Sequence, residues 1–262
     1  MPKTTRFILP ILKAGPKIYW YYLWKMIKYA KHPEKYPIQK KYLGGRKLAL
    51  QVSKDLNVEY RFEGLENIPS DRVSCFVGNH SSDFDPVLLV SALEKPTTFV
   101  GKKEIGGIPF VGTFMKSLEG AFMDRDDLKQ SLRVMKMVEE DLINNKKNWV
   151  IFPEGTRNRD PQKLLLEFHQ GTFRAPTRAG VPIVPFAMIG ASRVLKGYPH
   201  YKKYPVIIKF LKPIYKEEYE LISNQELANL VKSRVQREIT FTLRAEDHKL
   251  MQELNPVKYK SI

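Results

Sequence analysis

Between residues 73 and 245 short apolar runs alternate with amphipathic stripes, and this alternation limits the fold more than any other feature of the chain. "VSCFVGNH" (73–80), "TTFVGK" (97–102), "AFMDR" (121–125), "WVIFPEG" (149–155), "VPIVPFAMIG" (181–190) and "VIIKFLKPI" (206–214) read as strands. They are apolar without clean alternation, as strands covered on both faces are. "LNVEYRFEGLENIP" precedes them as a strand and a turn. "DPVLLVSALE" (85–94) has helical character with Pro86 in its first turn, and 108–120 is a short helix or a covering loop. Over 127–145, Leu128, Leu132, Met135, Val138 and Leu142 recur at helical spacing and form the expected buried stripe. A long helix over 223–245 starts at Ser223, with Glu226 completing a capping box. Strands alternating with helices predict an α/β fold, a mostly parallel or mixed sheet flanked by helices. With 262 residues and 43% hydrophobic content, the chain suffices for one such domain, placed at 48–262, plus an N-terminal addition at 1–47.

That addition is distinct in charge. Residues 1–54 hold thirteen Lys/Arg against Glu34, so +12 of the net +16 lies there and +4 in the other 208 residues. Such asymmetry points to a polyanionic surface. Between the lysines lie "FILPIL" (7–12) and "IYWYYLW" (18–24), interrupted by Lys13, Lys17, Lys25 and Lys28 well before the roughly 18 apolar residues a membrane span needs. No cleavable signal peptide is evident. Aromatic and apolar residues interleaved with lysines suit helices lying in the interface of an anionic phospholipid membrane. The other reading is a helical pair packed on the protein's own core. Nucleic acid is disfavoured as a partner, because the basic segment is too greasy for a groove and no helix-turn-helix, zinc or RNP-like signature occurs. Cys75, the only cysteine, lies in an apolar run and reads as an inert buried thiol, which the cytoplasm suits.

In an α/β sheet the loops beyond the carboxyl ends of strands carry chemistry. "NHSSDFD" follows "VSCFVG", "EGTRNRD" follows "WVIFP", and "DR" at 124–125 follows "AFM". His80 and Asp85 are close enough to meet across a strand-to-helix turn. A carboxylate on one ring nitrogen fixes the tautomer and leaves the other free to take a proton. Ser81 and Ser82 are too near His80 in sequence to be its nucleophile, and no GxSxG elbow exists. A base without a nucleophile of its own suggests attack by a substrate hydroxyl, in one step, without an acyl-enzyme. Arg157 offers a planar fork for phosphate, with Arg125, Lys102 and Lys103 as further cations. His32, His169, His200 and His248 show no metal-binding spacing, so no metal or bound cofactor is expected.

Taken together, these blocks resemble those of the 1-acylglycerol-3-phosphate acyltransferases. The Asn-His-x4-Asp block is Asn79, His80 and Asp85. A Gly-x-x-Phe-x-x-Arg-like element is Gly120, Phe122, Asp124 and Arg125, one residue tighter between glycine and phenylalanine. Phe-Pro-Glu-Gly-Thr-Arg is Phe152, Pro153, Glu154, Gly155, Thr156 and Arg157. The apolar-Pro-apolar-apolar-Pro turn is Val181, Pro182, Ile183, Val184 and Pro185. The family's Phe-Lys-x-Gly is here Phe168-His169-Gln170-Gly171, and "VGKKEIGGIPFVG" favours Lys102 over Lys103.

The resemblance implies a glycerolipid acyltransferase-like fold with an N-terminal amphipathic helical pair. It implies transfer of a fatty acyl group from acyl-CoA or acyl carrier protein, the latter then a protein partner, to lysophosphatidic acid, giving phosphatidic acid. His80 and Asp85 would be catalytic. Lys102, Arg125, Glu154, Gly155, Thr156 and Arg157 would bind phosphate and glycerol, while Asn79, Gly120, Phe122, Pro153, Pro182 and Pro185 would shape the motifs. The expected location is the cytoplasmic face of the membrane, peripheral or monotopic. Glycerol 3-phosphate or another lysophospholipid is an alternative acceptor, and a non-catalytic peripheral membrane-binding protein is the alternative of another class.

Overall fold

The central strands form where the apolar runs predict them, and every second residue along them feeds a different core. In β2 (Cys75–Gly78) and β5 (Asn148–Ile151), Phe76 and Val150 face one side of the sheet, while Cys75, Val77, Trp149 and Ile151 face the other. The computed structural model describes residues 16–108, 110–160, 162–195 and 201–256. Within these, β1 (Val58–Glu63), β2, β3 (Thr97–Lys102), β4 (Ala121–Met123), β5, β6 (Ile183–Ile189) and β7 (Tyr204–Phe210) form one seven-stranded sheet in the order β1-β7-β6-β2-β5-β3-β4. All neighbours run parallel except β6 and β7, so the sheet is mixed, as expected.

Helices cover both faces. α1 (Pro16–Lys31), α2 (Ile38–Asp55), α3 (Asp85–Ala92) and α4 (Val111–Ser117) lie on the Phe76 side, where Tyr42, Ala49, Leu88, Leu89, Met115 and Leu118 are buried. α5 (Leu128–Ile143), α6 (Arg174–Ala179) and α7 (Asn224–Glu238) cover the Cys75 side through Val134, Val138, Leu142, Ala175, Leu227, Val231 and Val235. The chain leaves β2 for the first face and β5 for the second. Their carboxyl ends, side by side, therefore flank a crevice at a topological switch point, the place where open α/β sheets take ligands.

Three sequence expectations need correction. On α5 the buried face is Val134, Val138 and Leu142 with Asp141, not the full predicted stripe; Leu128 and Leu132 are 73% and 53% exposed. Asp141 can go under because Lys147 meets it at 3.0 Å. The C-terminal helix does not end near 245. It passes through a π-helical turn, Ile239–Leu243, into α8 (Arg244–Leu254). The boundary placed after residue 47 falls inside the unbroken α2, so the segments 1–47 and 48–262 share a helix.

The N-terminal pair has two faces. Met26 and Tyr29 of α1 and Tyr42 and Ala49 of α2 are buried, whereas Trp20, Tyr21, Trp24 and Ile27 of α1 and Leu43 and Leu50 of α2 are exposed. Lys25 lies 4.1 Å from the Tyr21 ring centroid and Lys28 5.1 Å from that of Trp24, each one turn on. Among the described residues no helix is long and apolar enough to cross a membrane. "FILPIL", Pro10 and Lys13 lie outside the described residues.

Candidate active site

Asn79 begins the site by prolonging the sheet with its side chain. Its amide donates to the Met188 carbonyl and its oxygen accepts from the Met188 N–H, both at 2.8 Å, where the backbone has already left β2. The preceding Gly78 lets β6 come close, since a Cβ there would lie 2.3 Å from the Phe186 carbonyl oxygen. The chain then turns into α3, and Asp85 at its start is fully buried. One carboxylate oxygen accepts from His80 Nδ1 at 2.8 Å and from the Ser81 and Ser82 amides at 2.8 and 3.0 Å. A carboxylate only accepts, so Nδ1 carries the proton and Nε2 holds the lone pair of the neutral ring. Phe152 stacks on that ring, with centroids 4.1 Å apart and planes 17° from parallel.

The loop after β5 holds His80 from the other side. Glu154 is buried, and its two oxygens accept from the His80 amide and the Leu166 amide, each at 2.8 Å. Burial raises the Glu154 carboxyl above its ordinary range, against the pull of those two amides. The His80 carbonyl accepts from the Asn158 amide at 2.9 Å, so the histidine backbone is pinned in both directions. Gly155 turns the loop at φ +66°, where a side chain would be strained. Its amide donates to Phe152, and a Cβ there would sit 3.3 Å from the His169 ring and 3.8 Å from the Arg125 guanidinium carbon.

Two hollows meet at this loop. The first, about 530 Å³, is lined by His80, Asp83, Arg157, Arg159, Lys163 and Arg244 among others. Arg157 forms an ion pair there with Asp83, three residues after His80. The second, about 620 Å³, lies beyond Phe152 and is lined by Arg125, Leu128, Leu132, Met135 and His169. The structure therefore brings His80, Asp85, Glu154 and Arg157 together and leaves Arg125 on the far side of Gly155.

Other expected residues fall elsewhere. Lys102 is half exposed and paired with Glu104 at 2.9 Å, and Lys103 pairs with Asp124 at 2.9 Å; neither lines either of these two hollows. Glu154 lines the first hollow, with each of its oxygens accepting from one backbone amide. Thr156 is exposed. Gly120 donates to the Met115 carbonyl, Phe122 packs on the first core, and Pro153 accepts from His169. The Pro182 and Pro185 carbonyls accept from Cys75 and Leu211. The backbone amides nearest His80 and in the Gly155 turn are occupied: Ser81 and Ser82 donate to Asp85, and Gly155 donates to the Phe152 carbonyl. Ser82 is buried with its hydroxyl accepting from the Phe84 amide at 3.2 Å, and burial pushes the Cys75 thiol up. Sequence reasoning missed Arg159, Lys163 and Arg244, although Arg159 stood inside a cluster already singled out.

The site thus joins a histidine held by a buried carboxylate to a group of cations at a switch point. The chain belongs to the acyltransferase family, whose model matches residues 59–189, from β1 through β6. The 1-acyl-sn-glycerol-3-phosphate acyltransferase of Saccharomyces cerevisiae is 26% identical over 181 residues, 69% of this chain and 59% of that protein. The enzyme of the same name from Haemophilus influenzae is 34% identical over 134 residues, 50% of this chain and 52% of its own length. The crystal structure of the 1-acyl-sn-glycerophosphate acyltransferase from Thermotoga maritima superposes with a TM-score of 0.66 at 27% identity, over 78% of this chain and 80% of that one. This chain thus shares the fold of a solved family member, while it spans between 48% and 59% of the length of the first three relatives matched.

Proposed function

We propose that this protein transfers a fatty acyl group from a thioester donor, acyl-CoA or acyl carrier protein, to the free hydroxyl of lysophosphatidic acid. The observation that carries this reading is the His80–Asp85 pair, which has a base's geometry and whose ring, among the described residues, makes no hydrogen bond to a serine, threonine or cysteine side chain. His80 Nε2 takes the hydroxyl proton as the acceptor oxygen attacks the thioester carbonyl. The C–O ester bond forms, the C–S bond breaks, and the proton passes from the imidazolium to the departing thiolate. Asp85 holds the ring and stabilises its charged form during transfer. The amides of Thr156 and Arg157 donate to no acceptor among the described residues and are the remaining candidates for the oxyanion.

The acceptor's phosphate lies in the first hollow, gripped by Arg157. The donor approaches from the second, whose apolar wall of Leu128, Leu132 and Met135 suits an acyl chain and whose Arg125 reaches Gly155 from that side. The exposed aromatic face of α1, with its lysines, rests in the headgroup region of an anionic bilayer at the cytoplasmic face, where the acceptor is dissolved. Purified protein incubated with acyl-CoA or acyl carrier protein and a panel of lyso-acceptors, with products read by mass, tests the proposal. Phosphatidic acid formed from lysophosphatidic acid is the expected product. No acylated product from that acceptor with either donor refutes the reading.

A further inference from the structure

The charges lining the His80 hollow do not all balance. Arg157 is paired with Asp83, Lys163 lies 3.9 Å from Asp160, and the buried Glu154 carboxylate is met by two backbone amides. Arg159 and Arg244 line the same hollow, are exposed, and have no carboxylate partner among the described residues. Four cations thus face three carboxylates across this space, and the two exposed guanidinium groups are the ones left without a carboxylate partner among them. A phosphate monoester carries close to two negative charges at neutral pH and offers its oxygens to guanidinium forks. Arg157 alone, already neutralised by Asp83, does not match such a dianion.

Arg244 stands well past residue 189, where the family match ends, and its position follows from an irregularity in the C-terminal helix. The buried residues Leu227, Val231, Val235, Ile239 and Leu243 recur every four positions. In a regular α-helix, with 3.6 residues per turn, such a row drifts by about 40° at each step. The wider π-helical turn at Ile239–Leu243 takes up part of that drift and keeps Leu243 facing the sheet. Ile239 then forms part of the hollow's wall, and Arg244 emerges at its rim.

We propose that Arg244 is a phosphate-binding residue of the acceptor site, acting with Arg159 from the walls that face His80. This rests on the acyltransferase reading for the identity of the acceptor, but its test is binding and does not require turnover. The purified full-length protein is titrated calorimetrically with a short-chain, monomeric lysophosphatidate and with the monoacylglycerol of the same chain, at one fixed salt concentration. Arg244→Gln weakens lysophosphatidate about tenfold, near 1.4 kcal/mol, and leaves monoacylglycerol unchanged. Arg244→Lys, which keeps the charge, recovers most of the loss. Lys249→Gln, on the exposed side of α8, changes neither. Equal binding of lysophosphatidate by Arg244→Gln and wild type, or equal losses for both lipids, overturns the assignment. Wild type that binds lysophosphatidate but acylates nothing would instead sink the acyltransferase reading and leave the binding assignment standing.

Discussion

Two clusters of buried charge sit at opposite ends of the same strands, and only one is open. At the amino end of β5, Lys147 pairs with Glu119 at 2.9 Å and with Asp141 at 3.0 Å, and Lys41 of α2 reaches Glu119 from below. Lys146 closes the group at 3.3 Å from both carboxylates. Lys41 and Lys147 are almost wholly buried, and Lys41 also donates to the Pro33 carbonyl. At the carboxyl end, His80, Asp85 and Glu154 are equally well held, but the ring borders a hollow with cations to spare. Burial of charge therefore does not mark the functional end. What marks it is a mismatch, a base with one nitrogen left over and guanidinium groups without carboxylates. The closed cluster instead fastens the N-terminal helices to the domain.

The comparison is broken most forcefully at His80. His80→Ala should lower kcat roughly 10²–10⁴-fold, with the unfolding midpoint nearly unmoved, because general-base help is of that size. Activity within a few-fold of wild type, on purified lipid, would remove the base from the account. Glu119→Gln should do the converse. Leaving Lys41 buried without its counter-charge costs about 3–5 kcal/mol of stability, measured by urea unfolding, while kcat per folded molecule stays close to wild type. An unchanged midpoint would show that the closed cluster fastens nothing.

That second effect has a pH signature. Burial alone would raise the Glu119 carboxyl, but hydrogen bonds and charge from Lys41 and Lys147 outweigh it and bring it to about 2 from an ordinary 4.5. A carboxyl depressed by folding stabilises fully above its unfolded value and loses that contribution as pH falls through its folded one. The stability gap between wild type and Glu119→Gln should therefore close between about 4.5 and about 2. A gap constant across that window would contradict the pairing.

At the Arg157–Asp83 pair the effects are smaller, and the two variants move KM in opposite directions. Arg157→Gln removes a charged hydrogen-bond donor worth about 1.5–3 kcal/mol, so KM for lysophosphatidate should rise ten- to a hundredfold. An unchanged KM and kcat/KM would take the phosphate from Arg157. Asp83→Asn releases Arg157 from a half-exposed pair worth at most about 1 kcal/mol, and KM should fall up to about fivefold. A rise in KM would show that Asp83 orients the arginine rather than competing for it.

Much of this was legible in the sequence, for local reasons. The β2, β5 and β6 runs are apolar on both faces, and such runs specify central strands without reference to the rest of the chain. His80 and Asp85 span one turn, so their meeting needed no knowledge of the fold. Partners distant in sequence were not legible. Lys41 stood among lysines read as facing an anionic surface, yet it is buried on Glu119, 78 residues away. Arg125 lies on the other side of Gly155 from Arg157, which depends on how loops lie in space, whereas Lys102 pairs with Glu104 only two residues on, a local contact the sequence offered. On α5, Leu128 and Leu132 stay exposed and line a groove, which their spacing alone did not distinguish from burial. Arg244 could be located only once the π-helical turn was known, although apolar residues at strict four-residue spacing, followed by the β-branched Ile239, Thr240 and Thr242, were a visible hint.

The central claim is that His80 activates the acceptor's own hydroxyl and no protein side chain ever carries the acyl group. Rapid mixing of the enzyme with acyl-CoA in the absence of acceptor, followed by intact-protein mass measurement and thiol release, tests this most directly. The account predicts no burst of thiol and no added acyl mass until lysophosphatidate is supplied. A stoichiometric burst, with the acyl group found on Ser81, Ser82 or any other residue, would contradict it.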